Sequence, residues 1–86
     1  MVALEVKRVF KFNGDSSTKA MVDVAIGGEF LVRGFRVING RKGLFVSAPG
    51  EQGKDGKWYR KAYPLSKEAQ AELTKVVLEA YEGEGA

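Results

Sequence analysis

Segments in which apolar residues recur at every second position, separated by turn-forming residues, fill the chain up to Ala48, and this two-residue period predicts strands. Val2, Leu4, Val6, Phe10 and Phe12 form one face of the first, with Glu5, Lys7 and Lys11 on the other. Arg8 interrupts the inward set, which places it at an edge or a local bulge. Asn13-Gly14-Asp15-Ser16-Ser17 is rich in turn formers, and Ala20, Val22, Val24 and Ile26 alternate after it, so the two segments close as a hairpin. That closure is expected to set Phe12 against Thr18, Lys11 against Lys19 and Asp23 across from Lys7. A loop of Gly27-Gly28-Glu29 then sets Ile26 opposite Phe30 and Val24 opposite Val32.

Phe30 and Val32 give way to Phe35 and Val37, a change of parity that predicts a bend or bulge at Arg33-Gly34. Asn39 to Gly43 forms another turn, Leu44 to Ala48 a fourth strand, and Pro49 ends it. Residues 50–57 carry no apolar side chain and are expected to form a mobile loop. Trp58 to Tyr63 reads as a fifth strand, with Trp58 in the core and Pro64 closing it. Ser66 is placed to cap a helix of about four turns, with Glu68 near its positive end. Ala69, Leu73, Val76, Val77 and Ala80 are its buried stripe, and Gly83 its stop.

The predicted architecture is a single α+β domain over residues 1–86: a five-stranded, antiparallel, bent sheet followed by one C-terminal helix packed on one face. Its ordered core spans about residues 2–82, with a short acidic, Gly-containing tail at 83–86. No internal repeat divides the chain. The face away from the helix is expected to carry Val9, Met21, Leu31, Ile38 or Phe45, and a domain of 86 residues has little else to cover it. A homodimer is therefore expected, through that face or through strand exchange at an edge.

Composition narrows the function classes mainly by what it lacks. The chain has no Cys and no His, which leaves no disulfide, no thiolate nucleophile and none of the usual ligands for a structural zinc, iron or copper site. Its serines and threonines have no imidazole base, Asp23 and Glu29 do not make an acid–base pair, and the Walker and dinucleotide fingerprints are absent. We expect neither catalysis, nor a cofactor, nor a small-molecule substrate. No apolar run approaches the roughly 20 residues that cross a bilayer, and the first residues read as a strand rather than a secretion signal, so a cytoplasmic protein without a membrane partner is expected.

Charge is unevenly spread. Residues 1–61 hold twelve Lys and Arg against six Asp and Glu, whereas residues 62–86 hold two Lys against five Glu. A basic body attracts polyanions, and nucleic acid is the commonest of these in a cell, although exposed lysines also serve solubility alone. Lys7, Lys11, Lys19, Arg33 and Arg36 are expected near one another on the face away from the helix, with Arg41 and Lys42 at a sheet end, as phosphate contacts. The like-charged Lys11 and Lys19 would meet at a cost that an anionic partner relieves.

Gly40-Arg41-Lys42-Gly43 has the Gly-x-x-Gly form of the KH-domain loop but joins two strands, so it reads as a basic turn. Lys42 to Val46 faintly resembles an RNA-recognition strand, but no helix fits between the first two strands. Trp58, Tyr59 and Tyr63 lie among Lys57, Arg60 and Lys61, the mixture that stacks bases and holds phosphates; Tyr59, Arg60, Lys61 and the 50–57 loop stay open as contacts.

Glu29-Phe30-Leu31-Val32, Phe35-Arg36-Val37-Ile38-Asn39-Gly40 and Gly43-Leu44-Phe45-Val46-Ser47-Ala48-Pro49 carry a resemblance to the stage V sporulation protein G family of bacterial regulators. Asp55-Gly56, Pro64-Leu65 and Val77-Leu78-Glu79-Ala80-Tyr81 follow in the family's order and spacing, so the likeness spans nearly all of residues 2–81. It implies a small dimeric sheet-and-helix protein that binds DNA, and in some members RNA, to regulate expression and septation. The chain departs from the pattern at Gly50-Glu51, at Arg60-Lys61 and at Tyr63, which bears on target choice more than on fold. The expected function is thus a nucleic-acid-binding regulator; the alternative is a protein-interaction module in cell-division or envelope control that binds no nucleic acid.

Overall fold

The computed structural model describes residues 2–84. Six strands precede one helix: β1 (Leu4–Lys11), β2 (Thr18–Ile26), β3 (Phe30–Gly40), β4 (Gly43–Ser47), β5 (Gly50–Gln52), β6 (Trp58–Arg60) and α1 (Lys67–Glu84). The first four form one antiparallel sheet in the order β1-β2-β3-β4. The α+β class and the C-terminal helix stand, but the expected five-stranded sheet is instead four strands plus a separate two-stranded sheet of β5 and β6. Three residues of the expected 50–57 loop, Gly50 to Gln52, belong to that small sheet.

Alternation places Ala20, Val22 and Val24 of β2 with Phe35 and Val37 of β3 on the face that α1 covers through Leu73 and Val77. Val22, Val24, Val37 and Val77 are fully buried, each removing a branched apolar side chain from water for about 2 kcal/mol. Leu4, Val6, Val9, Val32, Val46, Leu78 and Tyr81 pack around this centre. Ser66 caps α1 as its sequence implies: its hydroxyl accepts from the Ala69 amide at 3.1 Å. The helix runs past Gly83 to Glu84, and of the expected tail Gly85 and Ala86 lie outside the described residues.

Bulges decide which residues face which way. Ile26 pairs with Phe30 and Val24 with Val32, as the three-residue loop requires, with Gly27 and Gly28 at φ 63° and 73°. Between Val24–Val32 and Val22–Phe35 the third strand gains a residue, and Gly34 there has φ 98°. This is the parity change at Arg33-Gly34. A second bulge between Val6 and Arg8 reverses the facing beyond it: Val9 turns toward the helix and belongs to the core side, whereas Phe10, expected on the face of Val2, Leu4 and Val6, turns to the open face.

The same bulge shifts the first hairpin by one position. Asp23 therefore faces Arg8 rather than Lys7, and Lys11 faces Ala20 rather than Lys19. The Phe12 amide donates to the Lys19 carbonyl at 2.9 Å, while Lys19 itself falls at a further irregularity in β2. The expected clash of two lysines does not occur.

Candidate functional site

Four rows of side chains cross the sheet face that α1 leaves open. Glu5, Ala25 and Leu31 form the first, and Arg8 with Asp23 begins the second. Phe10, Met21, Arg36 and Ser47 make the third, and Thr18, Ile38 and Phe45 the fourth. Beyond Phe45 lies the turn of Arg41 and Lys42. Phe45 and this turn line one shallow depression, and the Phe45 ring lies so close over Gly40 that an added Cβ there would come within 2.9 Å of it.

Asp23, in the second row, is the one buried charged residue among the described residues. Arg33 reaches its carboxylate at 3.8 Å with its own side chain 76% exposed, a loose pair that leaves most of the guanidinium in water. Arg8 lies across from Asp23 and stacks over the Phe10 ring at 4.2 Å. Arg36 stacks over Trp58 at 4.8 Å. Trp58 is 46% exposed, so its expected place in the core is corrected: β6 belongs to the small sheet, which sets the indole beside Arg36 at the rim of the open face.

The basic residues expected on a single surface divide into groups. Arg33 and Arg36 lie on the open face, and Arg41 and Lys42 extend it at the turn. Lys11 does not share that face, because its ammonium sits 4.6 Å over the Tyr81 ring of the helix. Lys7 lies at the β1 bulge beside the C-terminal end of α1 and pairs with Glu5 at 2.8 Å, and Lys19 is half-buried. Lys11, Lys19, Arg36, Arg41 and Lys42 have no carboxylate within ion-pair distance among the described residues. Arg8 joins Arg33 and Arg36 although the sequence pattern treats it only as a break in a strand; its signal is the bulge, since an extra residue reverses the facing of everything after it.

The small sheet carries its own polar clasp. The Tyr59 hydroxyl donates to Asp55, and the Lys57 amide donates to the same carboxylate at 3.0 Å. The Tyr59 hydrogen bond first and the Lys57 amide second hold the Asp55 carboxyl below its ordinary range, and the same contact raises the Tyr59 phenol. Lys61 bonds Glu51 at 2.8 Å and lowers its carboxyl, through the hydrogen bond and then through charge. Arg60 stacks over Tyr63 at 3.9 Å.

An apolar cleft of about 330 Å³ opens on the helix side, between the sheet end at Val2, Leu4 and Ile26 and the Tyr63-Pro64 approach to α1. Leu65 beside it is 93% exposed and Phe30, paired with Ile26, is 73% exposed. No cluster of acidic side chains among the described residues has the spacing to hold a metal ion, and no helix among them is long and apolar enough to cross a membrane.

Known proteins resemble this chain over nearly its whole length. A protein of Archaeoglobus fulgidus named "Putative septation protein SpoVG" is 38% identical over 82 residues, 95% of this chain and 96% of its own. Proteins of the same name from Bdellovibrio bacteriovorus and Lachnospira eligens are 42% and 39% identical, covering 98% and 87% of this chain and 76% and 85% of their own lengths. The SpoVG family model matches residues 1–83. With that match running from the first strand into the last turn of the helix, the chain belongs to the SpoVG family.

Proposed function

We propose that this protein is a nucleic-acid-binding regulator that acts as a homodimer and catalyses no reaction. The observation that carries the reading is the series of Arg33, Arg36, Arg41 and Lys42 along β3 and its turn, of which Arg33 alone has a carboxylate, that of Asp23, within ion-pair distance among the described residues. A polyanion neutralises such a run without displacing existing pairs, and its phosphates are the groups that arginine forks engage best. Lys7, Lys11 and Lys19 add positive charge along the neighbouring β1–β2 margin. Curated relatives carry the name of a septation protein, and we assign the regulation to that process or to sporulation.

The dimer forms at the apolar cleft end rather than through the open face. There Leu65, Phe30 and Val2 stand 93%, 73% and 59% exposed around a cleft that one chain leaves unfilled. The arginines of the open face would meet their own copies across a two-fold axis. Titration of the full chain against duplex DNA, single-stranded DNA and RNA, each at two salt concentrations, tests the function. Binding to at least one form that weakens steeply with salt is expected.

Those same exposed apolar residues favour a second reading, a protein-interaction module in division or envelope control. Capture of a defined cellular partner that survives nuclease treatment, with no binding to any of the three nucleic acids, would establish it in place of the first.

A further inference from the structure

The open face combines charge with flat rings in a way that a phosphate-binding surface does not require. Phe10 and Trp58 are each 46% exposed, and each has a guanidinium stacked on it, from Arg8 at 4.2 Å and from Arg36 at 4.8 Å. Phe45, 47% exposed, continues the series toward Arg41 and Lys42. A stacked guanidinium keeps its in-plane donors available while its position is set by the ring, so each pair presents an ordered cation beside an aromatic surface.

We propose that this face binds single-stranded nucleic acid, with bases against Trp58, Phe10 and Phe45 and phosphates on Arg8, Arg33 and Arg36. The proposal rests on the function proposed above and names its ligand class.

Shape favours a single strand. Four strands spaced about 4.8 Å apart are roughly 14 Å wide before side chains are added. A major groove about 12 Å wide admits a helix or a two-stranded ribbon, not this sheet. Against a duplex the rings would meet only the sugar–phosphate exterior, because paired bases keep their faces stacked on one another. A single strand offers those faces, and successive bases stack on aromatic side chains whatever the sequence. From Arg33 to Gly40 the face runs on the order of 20 Å, enough for several nucleotides. Charge argues against a second copy here: Arg8, Arg33 and Arg36 share the face with Asp23 and with a Glu5 already paired to Lys7, and an identical face would oppose these arginines with three more.

Trp58 is the only tryptophan of the chain, so its fluorescence reports on this surface directly. The full chain is titrated with a thymidine oligonucleotide of roughly 12 residues and with a duplex of matching length. We expect the oligonucleotide to quench the indole emission saturably, and Trp58→Leu or Phe10→Leu to weaken single-strand affinity about tenfold while duplex affinity stays unchanged. Should the oligonucleotide bind with the emission of Trp58 unaltered, the bases lie elsewhere and the inference fails while the nucleic-acid function stands. Equal loss toward both ligands overturns it too, as a sign of general damage. Absence of binding to the oligonucleotide overturns the inference, and the function beneath it falls as well if duplex DNA and RNA also fail to bind. The fluorescence titration uses the unaltered protein, so it remains decisive if a variant misfolds.

Discussion

Asp55 and Tyr59 lie at the surface, yet each moves the other's protonation. The hydrogen bond lowers the Asp55 carboxyl and raises the Tyr59 phenol, so the clasp contributes between two limits. Its acid limit follows from the lowered carboxyl: the contribution is present above the ordinary aspartate range and is lost as pH falls through the depressed value. The alkaline limit follows from the raised phenol: the contribution is present below the ordinary tyrosine value and is lost as pH rises through the elevated one. Tyr59→Phe should therefore return the Asp55 carboxyl part of the way to its ordinary range in a side-chain NMR titration, the Lys57 amide still acting on it. An unchanged Asp55 titration would show that the clasp does not persist in solution. Individual residues were the least legible part of the sequence. The facing of Val9 and Lys11 turns on whether Arg8 marks an edge or a bulge, two alternatives the sequence leaves open, and the bulge ahead of Arg8 reverses parity through backbone geometry. Trp58 misleads for a different reason: a large ring in a small domain is usually core, but here the Arg36 guanidinium covers it at the rim.

At the scale of elements, most of the chain could be read from its periodicity. The Gly27-Gly28 reversal, the bulge at Gly34 and the Ser66 cap each depend on a residue whose backbone or side-chain chemistry has few alternatives. The small sheet was not legible, because Gly50-Glu51-Gln52 has no apolar alternation and is a strand only through backbone pairing with Trp58-Tyr59-Arg60. Gly50 permits that pairing by close approach: a Cβ there would collide with the Tyr59 carbonyl and meet Arg60 Cα at 3.0 Å. Gly50→Ala should thus open the small sheet while β1–β4 persist. Hydrogen exchange checks this. Protection at residues 50–52 and 58–60 should fall about tenfold or more, since overpacking of this kind costs about 1–3 kcal/mol, with the amides of β2 and β3 unaffected. Loss of protection throughout would mean that the two sheets unfold as one unit.

For the whole molecule, the helix divides the surface into three regions with separate tasks. One sheet face is buried beneath α1, one end of the helix side exposes the apolar cleft, and the open face with its turn carries arginines and rings. The uneven charge along the chain does not say which of its cations share a face: Arg33, Arg36, Arg41 and Lys42 follow β3, whereas Lys11 turns to Tyr81 and Lys7 to Glu5. The central claim is that phosphates neutralise the β3 run. Its most direct measurement is the dependence of affinity on salt, for whichever nucleic acid binds most tightly, in the native chain and in the Arg41→Gln, Lys42→Gln double variant. Each phosphate contact contributes a log–log slope of about 0.7–0.9, so the variant's slope should be shallower by between one and two units. Slopes that coincide, or a native affinity indifferent to salt, would contradict the account.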